Sequence, residues 1–320
     1  MARSRYFWAL VIFVILQPGL MDLLGAEWIA LDAEPAGTPP TIRVVESDAD
    51  HTRVQIILHG FWISDVEAEG RIFQLLAMDR EGLLRETGKA QLPSIGRLLG
   101  LPGNQSVEPT ILDGEVAEFY GIVVYPAQPK PNRCGDSTPL PFTLDAEYYA
   151  ADAFFPGRLV TMDPPAVLRD RRVTRFGVYP FQFNPARQTV EVYHHLLMDF
   201  TYTDKDYRAM PPAGAGLVSP AFQQLYRAVI INEEWLERHT KEGGATRERM
   251  LILVADELAG AIVDFVQWKK ESGLDVTVRL MSEVGTGVAD IQSAVQTAYD
   301  DPATRPTFVL FVGDENTIPP

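Results

Sequence analysis

The chain of 320 residues is poor in cysteine and histidine, with one cysteine, Cys134, and five histidines. A single cysteine excludes an intrachain disulfide. No CxxC or HExxH spacing occurs, so the zinc sites built on those spacings are excluded. Basic residues are also scarce, because 28 lysines and arginines stand against 43 aspartates and glutamates, a net charge of −15. Such a surface repels phosphate backbones, and we predict no nucleic-acid partner.

Long apolar runs are also lacking, and the longest is Tyr6 to Leu16 near the amino terminus. Arg3 and Arg5 precede it, and the small residues Gly25-Ala26 follow. Eleven residues rise about 16 Å as a helix, roughly half of the hydrocarbon core of a membrane. We therefore predict a Sec signal peptide at residues 1–26 rather than a stable membrane span. The protein is expected to be exported to the periplasm, the cell surface or the medium.

The rest of the composition is that of a folded protein, with 46% hydrophobic and 22% charged residues. At about 100–150 residues per domain, 320 residues predict at least two domains. Residues 27–207 alternate between polar and apolar positions in short segments separated by proline and glycine. The clearest segment is Thr189 to Tyr202, where one face carries Val190, Val192, Leu196, Met198, Phe200 and Tyr202. This pattern predicts strands of an all-β sandwich.

A linker follows, in which residues 219–236 have helical spacing and Glu237 to Arg249 is charged and aperiodic. Beyond it, apolar strands at 250–255, 276–280 and 308–312 alternate with two amphipathic segments. We expect Asp256 and Thr286 to cap the two helices and Gly273 to end the first. The order β-α-β-α-β predicts a parallel sheet in an α/β domain.

This second region contains three distinctive blocks: Met250-Leu-Ile-Leu-Val-Ala255, Ile262-Val-Asp-Phe-Val-Gln-Trp-Lys-Lys-Glu-Ser-Gly273 and Phe308-Val-Leu-Phe-Val-Gly-Asp314 with Ile318-Pro319. In their order and spacing, these blocks resemble the opening of a gingipain-type cysteine peptidase domain, peptidase family C25. The preceding region is similar to the propeptide of the same family. Its matching stretches are Leu92-Pro93, Leu101-Pro102, Phe155-Pro156-Gly157, Leu168-Arg169, Arg172-Val173, Tyr179-Pro180 and Phe183-Asn184-Pro185.

The resemblance implies a secreted zymogen. Residues 27–238 are then a β-sandwich propeptide with a helical linker at 219–238, which keeps the peptidase latent and aids its folding. Residues 239–320 are the amino-terminal part of a caspase-like endopeptidase domain, whose full-length form acts on protein or peptide substrates and contacts the propeptide. The resemblance also admits a calcium ion, for which no ligands can be assigned, and it implies no other cofactor.

The family uses a catalytic cysteine and a histidine in a His-Gly motif on later strands, and no position of this chain matches them. We therefore assign no catalytic residue, interpret the chain as a truncated precursor, and expect the 320-residue polypeptide to be inactive. Two alternatives stay open: a gingipain-like sortase of a type IX secretion system and a non-catalytic secreted binding module. A cysteine and a His-Gly pair encoded beyond Pro320 would distinguish the enzymes from the binding module.

Several local candidates have plainer structural interpretations. We interpret Cys134, which lies beside Arg133, as an incidental free thiol, because it lies in the propeptide-like half of the chain. His194 and His195 are adjacent on a strand and point to opposite faces, so they cannot chelate one ion. The pair His59-Gly60 matches the family motif by chance at a strand end. Gly313-Asp314 is typical of a turn in which the carboxylate caps the backbone.

The resemblance places the propeptide junction at Arg238-His239, when Met250 is aligned with the start of the first peptidase strand. Eleven residues from His239 to Arg249 then span at most about 3.5 Å each, which leaves slack for a protease cleft. Lys241 and Arg247 are the rival sites. We predict processing between Arg238 and His239.

Overall fold

The computed structural model describes residues 25–130, 140–169, 171–203, 220–239 and 248–319. Two compact units divide the chain, one within residues 1–166 and 173–207 and one within residues 167–172 and 208–320. The predicted signal peptide lies almost wholly outside the described residues and stays a prediction.

Within its described residues, the first unit is built of β-strands with one short helix, α1 (Ala146–Ala150). The strands are β1 (Glu27–Ala30), β2 (Thr41–Ser47), β3 (His51–Ile57), β4 (Gly60–Ala68), β5 (Arg71–Ala77), β6 (Gly82–Leu84), β7 (Leu92–Gly100), β8 (Ser106–Tyr120), β9 (Val160–Met162), β10 (Ala166–Leu168), β11 (Arg171–Val178), β12 (Phe181–Asn184) and β13 (Thr189–Thr203). β10 ends and β11 begins within residues 167–172, which group with the second unit.

These strands form three sheets. One has the order β1-β4-β5, and the second has the order β10-β11-β7-β6 with β9 also on β11. The third has the order β12-β13-β3-β2, and β8 pairs with β13 along nearly its whole length. Consecutive strands joined by short turns pair antiparallel, as in β2 with β3 and β4 with β5.

The alternation seen in the sequence defines the interior of the first unit. Val54 and Ile56 of β3 are fully buried, and so is the apolar face of β13 apart from a small exposed fraction of Tyr202. The ring of Phe200 on β13 lies 4.7 Å from that of Phe176 on β11, which belongs to a different sheet. Side chains from two sheets therefore share one core, which confirms the predicted sandwich.

The second unit contains α2 (Pro220–Val229), α3 (Glu233–His239), β14 (Arg249–Val254), a 3-10 helix (Asp256–Ile262), α4 (Val263–Glu271), β15 (Asp275–Leu280), α5 (Met281–Val284), α6 (Val288–Asp300) and β16 (Phe308–Val312). The sheet order is β15-β14-β16, and both pairings are parallel. The predicted α/β region with a parallel sheet is confirmed. Ile252, Leu253 and Val254 on the central strand are fully buried, whereas Phe311 on β16 is 49% exposed.

Local details of the second unit differ from expectation at three places. Asp256 does not cap its helix, because its carboxylate accepts hydrogen bonds from the backbone N–H and hydroxyl of Ser282 instead. The second long helix, α6, takes Gly287 as its N-cap rather than Thr286. The linker forms two helices rather than one, and the break between them contains Ile230 and Ile231, which with Val229 form a run of β-branched residues that lose side-chain freedom in a helix. Gly273, with φ of +93°, ends α4 as predicted.

Candidate functional site

The predicted processing bond joins the last two residues of α3. This helix carries Glu233 and Glu234 in its first turn and Arg238 and His239 in its last. Negative charge near the amino end and positive charge near the carboxyl end both stabilise a helix through its dipole. The charged segment expected to be irregular therefore continues as helix up to His239, and its remainder, 240–247, lies outside the described residues.

Both side chains at the bond fold back by one turn of α3. The Nε of Arg238 donates to the carbonyl oxygen of Glu234 at 3.1 Å, and its Nη2 lies 3.6 Å from the Glu234 carboxylate. The ring of His239 stacks on Trp235 with 4.5 Å between centroids, and its Nδ1 lies 2.8 Å from the Trp235 carbonyl oxygen. The Arg238 side chain is nevertheless 65% exposed, so a protease pocket for arginine can reach it.

The helical geometry sets a condition on cleavage. Proteases cut preferentially where the chain opens locally, and helix ends fray because their last carbonyls lack partners. The final turn of α3 must unwind before the bond between Arg238 and His239 enters a cleft. Contacts that hold this turn, above all the stack of Trp235 on His239, would therefore oppose cleavage at the predicted bond.

Helix α3 is held at its other end by charge. Glu233 is 1% exposed, and its Oε1 accepts from the Nε of Arg171 at 2.9 Å and lies 2.8 Å from Nη2. One turn on, Glu237 accepts from the Nε of Arg227 on α2 at 2.9 Å. That guanidinium holds the pKa of Glu237 below its ordinary value. Two ion pairs thus fix the register of α3 against its neighbours.

The other residues singled out from the sequence have structural roles or fall outside the structure. Cys134 lies outside the described residues. The amide nitrogen of Gln55 lies 2.7 Å from the Nε2 of His195, and the register of β13 against β8 shifts between Tyr193 and His195. His194 precedes His195 on β13, and its backbone carbonyl oxygen accepts a hydrogen bond from the backbone N–H of Leu58 at 2.8 Å.

The pair His59-Gly60 is a packing element. The Nδ1 of His59 lies 2.6 Å from Asp32, its Nε2 lies 2.8 Å from the Thr41 hydroxyl, and the residue is 8% exposed. A Cβ on Gly60 would come within 2.3 Å of the Trp28 ring, so only glycine fits there. Both observations support the structural interpretation of this motif.

Gly313-Asp314 forms the turn after β16. The Asp314 carboxylate accepts from the backbone N–H of Asn316 at 3.0 Å and of Thr317 at 3.1 Å. These hydrogen bonds hold the pKa of Asp314 below its ordinary value. The carboxylate caps the backbone as predicted from the sequence.

Sequence reasoning missed a cluster at the β2–β3 hairpin, formed by Glu46, Asp48 and His51. Asp48 caps the hairpin turn by accepting from the backbone N–H of Asp50 and His51. The guanidinium of Arg53 lies 2.9 Å from Glu46 and 3.2 Å from Asp199. Calcium prefers an all-oxygen shell, and here a nitrogen ligand and an arginine occupy the space, so the cluster does not fit calcium. Asp48 and His51 are only three residues apart, so the sequence alone could have suggested that they lie together. Asp199 lies near them only because β13 pairs with β3.

Every helix within the described residues is too short or too polar to cross a membrane.

Sequence profiles match the chain in two consecutive stretches. The profile of the C25 propeptide matches residues 32–218, and that of peptidase family C25 matches residues 245–320. The predicted processing bond lies between the two matches.

Individual relatives agree with these profiles. The chain is 26% identical over 300 residues to Gingipain R2 of Porphyromonas gingivalis, covering 93% of this chain and 40% of that protein. It is 26% identical over 301 residues to Gingipain R1 of the same species, covering 93% of this chain and 30% of that protein. A solved structure titled "Complex of Porphyromonas gingivalis RgpB pro- and mature domains" shares the fold, with a TM-score of 0.55 and 21% identity, over 62% of this chain and all of that one. The protein therefore belongs to the gingipain-type precursors of peptidase family C25, with a C25 propeptide followed by sequence of the peptidase domain.

Proposed function

We propose that the chain is the precursor of an exported cysteine endopeptidase, in which residues 27–238 keep the peptidase region latent and aid its folding. The observation that carries this proposal is the succession of a C25 propeptide and C25 peptidase sequence along one chain, at residues 32–218 and 245–320. The chain spans less than half the length of the curated relatives it matches, and the proposed activity is that of the whole protein.

Activation proceeds by cleavage between Arg238 and His239. Three observations support this site: it lies in the interval between the two matches, its arginine side chain is largely exposed, and it ends a helix that can fray. Export precedes activation and depends on residues 1–26, which are removed to leave Glu27 as the first residue.

The processing site is tested by adding an arginine-specific endopeptidase to purified residues 27–320 and sequencing the amino termini of the fragments. We expect a fragment that begins at His239. Arg238→Ala removes this fragment, and Arg247→Ala, the matched control at the rival arginine, leaves it in place. A fragment that begins at Glu248 instead would contradict the proposed junction.

Latency is tested in the whole precursor in its native host. Arg238→Ala should accumulate as an unprocessed protein with little peptidase activity, whereas Arg238→Lys tests whether the activating enzyme demands arginine. Full activity of an unprocessed Arg238→Ala precursor would show that the propeptide does not keep the enzyme latent.

A further inference from the structure

A hydrogen-bonded chain of three side chains in the first unit ends at an exposed hydroxyl group. The Oδ2 of Asp32 lies 2.6 Å from the Nδ1 of His59, and the Nε2 of the same ring lies 2.8 Å from the hydroxyl oxygen of Thr41. His59 is 8% exposed, whereas Thr41, the first residue of β2, is exposed. A buried imidazole therefore links a carboxylate to a hydroxyl group that solvent can reach.

The Asp32 carboxylate decides which nitrogen of the His59 ring carries the proton. Desolvation raises the pKa of Asp32, but hydrogen bonds from the backbone N–H of Glu34 and from His59 outweigh it and hold this pKa below its ordinary value. An ionised carboxylate only accepts hydrogen bonds, so the proton of the neutral ring lies on Nδ1. The Nε2 atom keeps its lone pair and accepts the hydrogen bond that the Thr41 hydroxyl donates.

We propose that Thr41 is an activated nucleophile that accepts the acyl group of a reactive ester, with His59 as its general base and Asp32 as the positioning residue. A carboxylate, an imidazole and a hydroxyl group in this order form the arrangement by which many hydrolases activate a hydroxyl, and it is recognised by geometry rather than by fold. Both distances lie within the reach that general base catalysis requires. The site lies in the propeptide region and is independent of the processing bond.

The reaction transfers the acyl group from one oxygen to another. The Oγ1 of Thr41 forms a bond to the acyl carbon while its proton passes to the Nε2 of His59. The bond between the acyl carbon and the leaving oxygen then breaks, and the imidazolium gives the proton to that oxygen. The products are an ester of Thr41 and a free alcohol. Asp32, His59 and Thr41 supply a nucleophile and a base, so the substrate must supply a good leaving group, as an aryl ester does.

The test treats purified residues 27–320 with p-nitrophenyl acetate and locates the acetyl groups by mass spectrometry of tryptic peptides. Thr38 and Thr41 fall in one peptide, Glu27 to Arg43, so its fragmentation compares the two hydroxyls in the same sample. The hydroxyl of Thr38 donates to a backbone carbonyl oxygen at 2.7 Å instead of to an imidazole. Thr110, an exposed residue of β8, serves as a second comparison. We expect Thr41 to be acetylated on the order of 100-fold faster than either, since a positioned base contributes about 10²–10⁴-fold.

Variants separate the three roles. His59→Gln should lower the rate at Thr41 to that at Thr38. Asp32→Asn should lower it on the order of tenfold or more, because an amide favours the wrong tautomer, and should remove the downfield N–H resonance of His59 from the proton NMR spectrum. Thr41→Ser keeps a hydroxyl group and should keep rapid acetylation, whereas Thr41→Val should abolish it.

The surface variants keep the test decisive if His59→Gln does not fold, since His59 is buried whereas Asp32 and Thr41 are exposed. Acetylation of Thr41 no faster than that of Thr38 would overturn the proposal. An unchanged rate at Thr41 in folded Asp32→Asn or His59→Gln would also overturn it.

Discussion

The guanidinium of Arg171 lies 2.8 Å from the carboxylate of Glu233, and both side chains are at most 5% exposed. Taking two charges out of water is costly, and their attraction offsets this cost only when the geometry is close and the charges stay paired. The pair joins residues 62 positions apart. It fixes α3, and with it the predicted processing bond, to the segment 167–172.

Removal of one partner of this pair should destabilise the protein strongly. Arg171→Ala leaves the Glu233 carboxylate buried without its guanidinium, and we expect a loss of about 3–5 kcal/mol in the free energy of unfolding. Arg187→Ala is the control, because its pair with Asp152 is more than half exposed and solvent screening should make its contribution far smaller. Urea unfolding of both variants measures the difference. Equal losses would show that burial does not set the strength of the first pair.

The contact between α2 and α3 should weaken in acid. The Arg227 guanidinium holds the pKa of Glu237 in the folded protein below its ordinary value. A group with a lowered folded pKa contributes stability above its unfolded pKa and loses it as the pH falls through the folded value. The urea concentration at the midpoint of unfolding should therefore decrease as the pH is lowered below about 4.5. Glu237→Gln should flatten this part of the pH profile. An unchanged profile in Glu237→Gln would assign the acid sensitivity to other carboxylates.

The stack of Trp235 on His239 should slow cleavage of the bond between Arg238 and His239. Trp235→Ala removes the ring that holds the last turn of α3, so the turn frays more often and an arginine-specific endopeptidase should cut several times faster. Trp268→Ala is the control, since Trp268 is an exposed tryptophan on α4. Fragment formation is followed by amino-terminal sequencing and mass spectrometry. If both variants are cut at the wild-type rate, fraying of α3 does not limit processing.

The core between the two sheets should be sensitive to truncation. Phe176 and Phe200 are fully buried with 4.7 Å between ring centroids. Phe176→Ala should lower the free energy of unfolding by about 3–5 kcal/mol through lost burial and a residual cavity. Ile72→Ala, at a residue 62% exposed on β5, should change it by less than about 1 kcal/mol. Similar effects of the two changes would contradict the sandwich core.

The 320-residue polypeptide should not hydrolyse peptides through a thiol. Its one cysteine, Cys134, lies in the propeptide region, and a cysteine nucleophile needs a histidine base within hydrogen-bond reach. Purified residues 27–320 are assayed with fluorogenic arginine- and lysine-amide substrates. Turnover that Cys134→Ala abolishes would contradict this prediction.

Much of the fold could be predicted because its signals are local. The two-residue alternation from Val190 to Tyr202 places one face of β13 in the core, and a strand has no other way to bury that face. The apolar runs at 250–255 and 308–312 predict strands whose observed bounds differ by at most one residue. The position of the processing bond was predicted from the resemblance to a family. The structure added only that this bond lies at the end of a helix.

Tertiary contacts decided what the local signals left open. By its sequence Asp256 is a good helix cap, yet Ser282 competes for its carboxylate because β15 brings that residue beside the end of β14. By composition Glu233 belongs on the surface, yet Arg171 makes its burial tolerable from 62 residues away. The sequence by itself determined which faces are apolar and where strands and helices alternate, since burial of apolar surface follows chain periodicity. Only the tertiary structure decided which charges pair and which segments hold α2 and α3, because those partners are distant in the chain and meet only once the sheets have formed.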